Sequence, residues 1–356
     1  MIGQRLAEEE PFGSAAHLSE QRAAIYHSLL RCVEGWSAAS AALSAQLFAL
    51  DGNDRERALR DPLTRRTIED GICLFRQGLK VIDPATHEAI LLGAVTSLGK
   101  AGGTLLNHSA HCVEIIPAPC PAFVWMNAGT DTIEAQRFVV EVQKRMPGLQ
   151  IYSPSKEEIK TLRSGAALAL RIAPTLAASA FDHVFLVVIA AFEQEERRFA
   201  SLTVPGLPGV VLLSPNALSD EFRAAHSLLH EAMHLKFIDI DYVHPLFKPG
   251  FRAISSPRVT PVWHADKPGL GDWPIDRVLT SMHVYITLGV FFEEASQPCF
   301  AGSRIPPTLA EDIARCRERA RWLHTSALEH QDVLSAAGQQ FVAFNGSLLE
   351  HEHAAA

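Results

Sequence analysis

His226-Ser-Leu-Leu-His230-Glu231-Ala-Met-His234-Leu-Lys236-Phe237 carries H-E-x-x-H, and Phe222, Ala225, Leu229, Ala232, Met233 and Phe237 around it recur at helical spacing. On a helix, residues four apart lie one above the other, so His230 and His234 can aim two imidazoles at one point. Glu231 stands about 100° around the axis. That geometry binds a divalent metal. Ser219-Asp220-Glu221 reads as the cap that starts the helix.

Working outward, Asp182-His-Val-Phe-Leu-Val-Val-Ile-Ala190 and Ser201 to Pro215 are apolar runs expected to form buried strands leading into the metal helix. His111 to Pro117 and Pro121 to Met126 read as two further strands, followed by a helix from Thr132 to Met146. Ser155-Lys-Glu-Glu158 is a capping box opening a helix to about Leu176. Beyond the metal helix a loop, Asp239 to Pro274, is rich in Pro, Gly, aromatic and basic residues. Its length predicts a pocket wall or lid. A helix is expected over Ile275 to Glu294, and another helical region, opened by the capping box Thr308-Leu-Ala-Glu311, over Thr308 to Ala343. The last residues, from His351, read as a frayed tail.

Upstream, residues 18 to about 50 read as one helix ending in the turn cluster Asp51-Gly52-Asn53-Asp54. Arg55 to Asp70, with Arg60, Arg65 and Arg66, reads as solvated helix faces. His108 and His111 lack a third partner and read as polar residues at a strand end. The expected class is α+β: a helical N-terminal region (1–100), a metal-binding region with a small mixed or antiparallel sheet (101–300) and a helical C-terminal region (301–356), all three able to form one continuous domain.

The chain has 356 residues, 47% of them apolar, enough for a sizeable core; its net charge of −8 argues against non-specific nucleic-acid binding. The six cysteines (32, 73, 112, 120, 299 and 316) are scattered with no CxxC pair, so they suggest neither a disulfide framework nor a thiolate zinc site, and a reducing cytoplasm fits best. The first ten residues lack a signal-peptide pattern. Val184 to Phe192 is too short an apolar run to span a bilayer, so no membrane partner is expected.

A helical His pair needs at least one more protein ligand. Positions 237 and 240 are Phe and Ile, so the Gly and His that metzincins place there are absent. Glu293 and Glu294 are candidates, and so is His283; the two choices exclude one another, being about 16 Å apart along a helix. His283, on the apolar face of Met282, Ile286 and Val290, is favoured. His226, one turn before His230, is a candidate substrate contact or ligand-orienting group rather than a fourth ligand.

The stretch from Val204 to Phe237, then Trp263-His264-Ala265-Asp266, then Met282-His283-Val-Tyr-Ile-Thr-Leu-Gly-Val-Phe-Phe292 resembles the H-E-x-x-H peptide-modification proteins. These are iron(II)- and 2-oxoglutarate-dependent peptide β-hydroxylases of ribosomally made natural products. The resemblance covers about a third of the chain, roughly residues 180 to 300. It implies that His230, His234 and His283 hold Fe(II), that 2-oxoglutarate is the cosubstrate, and that the substrate is a peptide, in the first place a precursor peptide. The family carries Trp-Arg followed by Asp where this chain has Trp263-His264-Ala265-Asp266. The carboxylate clamp is therefore sought among Arg252, Arg258, His264, Lys267 and Arg277.

Three functions compete. In the oxygenase, Glu231 is not a ligand but orients a ligand His or a water. In a zinc peptidase it is the general base acting on a Zn(II)-bound water, and on the residues alone this reading leads. The third is a non-enzymic peptide-binding protein with a metal-stabilised core. Oligomeric state is left open.

Overall fold

A computed structural model describes residues 2–69 (36 and 67 excepted), 92, 95 and 112–354 (118–120, 127–132, 194–198, 205, 265–270 and 301–304 excepted). The chain is mostly helical with one small mixed sheet, an α+β fold. Helices α1 (Ile2–Glu8), α2 (Ala15–Val33), α3 (Ala38–Ala49) and α4 (Gly52–Arg60) come first. Then follow β1 (Cys112–Ile116), β2 (Ala122–Trp125), α5 (Ile133–Arg145), β3 (Leu149–Tyr152), α6 (Lys156–Ile172) and α7 (Pro174–Phe181). Strands β4 (Leu186–Phe192), β5 (Ser201–Thr203) and β6 (Val210–Leu213) lead into α8 (Glu221–Val243), which carries H-E-x-x-H. A short ribbon of β7 (Arg258–Val259) and β8 (Trp273–Pro274) precedes α9 (Ile275–Ala295), α10 (Leu309–Glu329) and α11 (Ala336–Ala354).

The sheet runs β1-β2-β4-β6-β5, with β3 also pairing β4; β4 is parallel to β2 and β6, and the other pairs are antiparallel. Strands with both faces buried should read as continuous apolar runs, and β4 and β6 do. Their alternate residues enter two cores. Val187, Ile189, Val211 and Leu213 face the core shared with α6 to α11. Leu186, Val188, Val210 and Leu212 face the core formed with α2 to α5, through Leu30, Leu43, Leu59, Phe138 and Val142. The result is three layers: the metal helix and α1 lie on one side of the sheet, α3 to α5 on the other, and α2 contributes to both cores.

The expected N-terminal, metal-binding and C-terminal regions therefore share these cores. Lys236 on α8 is buried and donates to Leu6 O (2.8 Å), Gly13 O (2.5 Å) and Ser179 Oγ (2.8 Å). Asp239, also on α8, accepts from Arg22 (2.5 Å) and Arg65 (2.9 Å) and is bonded to His183 Nδ1 at 2.6 Å. Arg65 and Arg60 thus correct the reading of Arg55 to Asp70 as solvated: both are buried, Arg60 donating to Val184 O.

Several expected boundaries shift for identifiable reasons. The helix expected over 18–50 is two, because Ser37 caps α3 by accepting from Ser40 N. Asp51, read as part of a turn, instead caps α4. The helix from Ser155 keeps its capping box but ends at Ile172, since Pro174 has no N–H for a continuing ladder and starts α7. Helix α8 continues to Val243, so the loop begins at His244. Thr308 caps α10 without the expected box, its Oγ donating to Asp312. The C-terminal region is two helices, and α11 continues past His351 to Ala354, where a frayed tail was expected. Helix α9 is long and apolar enough to cross a membrane, a property the longest-run argument overlooked, but most of it is buried inside this fold. His108 and His111 lie outside the described residues.

Candidate metal centre

Helix α8 is buried nearly all round. Phe222, Ala225, Leu228, Leu229, Ala232, Met233, Leu235 and Ile240 have almost no exposure, held between α6, α9 and the sheet. The residues that keep solvent access between Arg223 and Ile238 are Arg223, His226, His230, His234 and Ile238, one stripe of three- and four-residue steps. Three histidines thus line the open side of an otherwise buried helix.

The pair converges. His230 Nε2 lies 3.1 Å from His234 Nε2. Two nitrogens bound to one metal at about 2.0–2.1 Å would stand roughly 2.9–3.4 Å apart, so the spacing suits a shared ion. The other nitrogen of His234, Nδ1, is hydrogen-bonded to Thr280 Oγ1 at 2.9 Å, which fixes the ring from α9. Burial holds both imidazoles neutral, the state a ligand needs: burial and then His234 and His226 push His230 well down, and burial and then Arg277 bring His234 to about 4.

Glu231 points to the sheet side. Its carboxylate, 2% exposed as a residue, accepts from the Ser201 hydroxyl and the Thr203 N–H of β5, and Oε1 is 3.7 Å from His230 Nε2. Burial outweighs those two bonds and raises its pKa to about 8. Strand β5 is the edge strand of the sheet, so the helix is flanked by a backbone that pairs on one side only with β6.

His283 stands on the core side of α9. Its Nδ1 is 3.0 Å from Asn345 Oδ1, and the Asn345 amide is oriented by donating Nδ2 to Phe341 O at 2.8 Å. The Asn oxygen therefore faces Nδ1, which donates and leaves the lone pair on Nε2. That Nε2 is buried without a hydrogen-bond partner. Burial leads, with Lys236, His234 and His183 adding to it, in lowering the ring's pKa to about 3 against the Asn345 bond. Among the described residues no three His, Cys, Asp or Glu are gathered into one metal-holding group. His230 and His234 are brought together, and His283 stands outside that pair, its ring held at Nδ1 by Asn345 on α11 with Nε2 left free. Glu293 and Glu294 do not replace it: Glu293 pairs with Arg317 at 2.6 Å near the far end of α9.

Of the expected clamp residues, Arg277 is the one whose charge acts on His234. It lies on α9 one turn before Thr280, its guanidinium carbon 4.4 Å from the Trp273 ring centroid. Arg252 and Arg258 are exposed on the loop, with Arg258 bound to the carbonyls of Asp272 and Ile254, away from the pair. His264 packs edge-on against Trp273 at 5.4 Å. Lys267 lies outside the described residues. His226 opens onto a cavity of about 600 Å³ with Arg223, Phe292, Ile305 and Asp312. Its far wall comes from the end of α9 and the start of α10.

Sequence reasoning missed Ser201, Thr203, Thr280 and Asn345. None lies within a spacing motif, and each is recruited from another element. A comparison with protein-family models gives no match, and neither does a search of the curated proteins.

Proposed function

We propose that the chain is a metal-dependent oxygenase that hydroxylates a side-chain β-carbon of a ribosomally made peptide in the cytoplasm, using Fe(II) and 2-oxoglutarate. The observation that carries the reading is Arg277: a guanidinium packed on Trp273, one turn before the Thr280 whose hydroxyl holds His234, with its charge acting on that ring. A planar fork on the helix that orients a metal ligand suits bidentate binding of a carboxylate cosubstrate.

His230 and His234 would hold the metal, and neutral imidazoles suit Fe(II). His283 is the third ligand in this reading, because Asn345 leaves its Nε2 unprotonated and unpartnered and His234 is close enough to influence it. When bound, the iron with 2-oxoglutarate and O₂ supplies the oxidising power to replace an unactivated C–H by C–OH. The chain's own residues do the rest. Thr280 orients His234, and Glu231 is fixed by Ser201 and Thr203 beside His230.

A zinc peptidase is the second reading, favoured by one observation: Glu231 Oε1 lies 3.7 Å from His230 Nε2, where a base for a metal-bound water would stand. The test is anaerobic loading with Fe(II) followed by 2-oxoglutarate and O₂, reading succinate release. Succinate is expected, and Arg277→Leu should weaken 2-oxoglutarate binding roughly 10- to 100-fold, as loss of a charge-assisted pair does, with metal uptake intact. Peptide cleavage with Zn(II), without succinate under Fe(II), would replace this reading by the second.

A further inference from the structure

We infer that Arg319 and the aromatic wall around it form a second carboxylate subsite, which takes an acidic group of the peptide substrate. The proposal rests on the oxygenase reading only in calling the ligand a substrate; the site itself stands on its own geometry. Trp263 is the hub. Its ring lies 5.8 Å from Trp273, 6.3 Å from Tyr285 and 5.3 Å from Trp322, each edge to face.

Arg319 on α10 spreads over this wall, its guanidinium carbon 4.9 Å from the Trp263 centroid and 5.4 Å from that of Tyr285, and donates from Nη1 to the Tyr285 hydroxyl at 2.8 Å. A guanidinium has five N–H donors in a fixed plane. One is used here. Among the described residues no carboxylate forms an ion pair with Arg319, whereas on the same helix Arg315 pairs with Asp312 and Arg317 with Glu293. In a chain of net charge −8 this is a notable omission. Stacking holds the plane still while its remaining donors stay uncommitted, which is the preorganised state for bidentate carboxylate binding.

The wall also connects to the metal centre. Tyr285 bonds Arg319 and influences Arg277 electrostatically, and Trp273 carries Arg277, whose charge reaches His234. Arg277 packs on Trp273 and Arg319 on Trp263, the ring next to it. Two separate cations along one wall suit two carboxylates, the cosubstrate's at Arg277 and the peptide's at Arg319. The peptide carboxylate has two sources, an Asp or Glu side chain or a chain terminus.

The test uses the full chain and three probes, Ac-Ala-Glu-Ala-NH₂, Ac-Ala-Gln-Ala-OH and Ac-Ala-Gln-Ala-NH₂, titrated against tryptophan fluorescence and by calorimetry without metal. At least one carboxylate probe should bind ten-fold or more tightly than the neutral peptide, and which one binds identifies the source. Arg319→Gln should abolish the difference, while Arg315→Gln, the same charge change on the same helix, should keep it. Circular dichroism of both variants checks the fold, and Arg319→Lys, which keeps charge but not the fork, should retain only part of the preference. Equal binding of all three probes, or a preference that survives in folded Arg319→Gln, overturns the subsite. Because no metal or 2-oxoglutarate is present, that failure is separate from any failure of succinate release.

Discussion

At the scale of single residues, two side chains decide the chemistry. Glu231→Gln keeps the size of the group that Ser201 and Thr203 hold. If Glu231 only orients the site, turnover should fall roughly 10- to 100-fold and recover with excess Fe(II) and 2-oxoglutarate. A missing general base is not restored by metal, so a fully metallated yet inactive Gln variant would return the peptidase reading to first place. His283→Ala should cut metal affinity by a similar factor, read by competition with a coloured chelator. Asn345→Leu should produce part of that loss, because the proton can then move to Nε2. Unchanged affinity in His283→Ala would remove that residue from the ligand set.

At the scale of elements, the position of α8 depends on one close approach. A Cβ on Gly165 of α6 would stand 2.7 Å from Ala224 Cβ and 2.9 Å from Ala225 N, and a backbone atom cannot yield as the tip of a flexible side chain can. Gly165→Ala should therefore destabilise the protein by about 1–3 kcal/mol through overpacking, despite the better helix propensity of Ala. Urea unfolding measures this. A stability equal to or above that of the parent chain would mean that α6 and α8 separate freely, and the same variant's metal affinity would then show whether the histidine stripe moves with them.

At the scale of the whole molecule, the three layers are joined by the Asp239 cluster. Burial pushes the Asp239 carboxyl up, but Arg22, Arg65 and His183 outweigh it and hold it well below the usual range. Asp239→Asn leaves two buried guanidinium groups without their counter-ion and should cost about 3–5 kcal/mol. His183 is lowered, chiefly by burial, with Lys236 and Arg22 adding to it and Asp239 opposing. A depressed histidine stays neutral when folded but takes a proton at about 6.5 when unfolded, so its effect on stability is lost as pH falls below that value. Asp239 adds a second loss only below about 3.9, where the unfolded carboxylate protonates first. Thermal unfolding from pH 7.5 to 5 should show falling stability, and His183→Gln should flatten the slope by up to about 1.4 kcal/mol per pH unit. An identical slope in the variant would show that His183 does not titrate in this range.

What the sequence by itself determined is whatever local periodicity encodes. H-E-x-x-H at helical spacing places His230 and His234 on one stripe, because four residues return to the same face. Continuous apolar runs identified β4 and β6 as strands buried on both faces, and capping residues located the starts of α6 and α8. The sequence also carried Arg277, but only as one of several loop and helix cations. Tertiary structure alone decided that Arg277 packs on Trp273 with its charge acting on His234, that Asn345 holds His283 through a contact 62 positions away, and that Arg65 is buried against Asp239. These are contacts between elements. No residue spacing along the chain encodes which faces α9, α10 and α11 present to α8, since that is fixed by how the two cores close around the sheet.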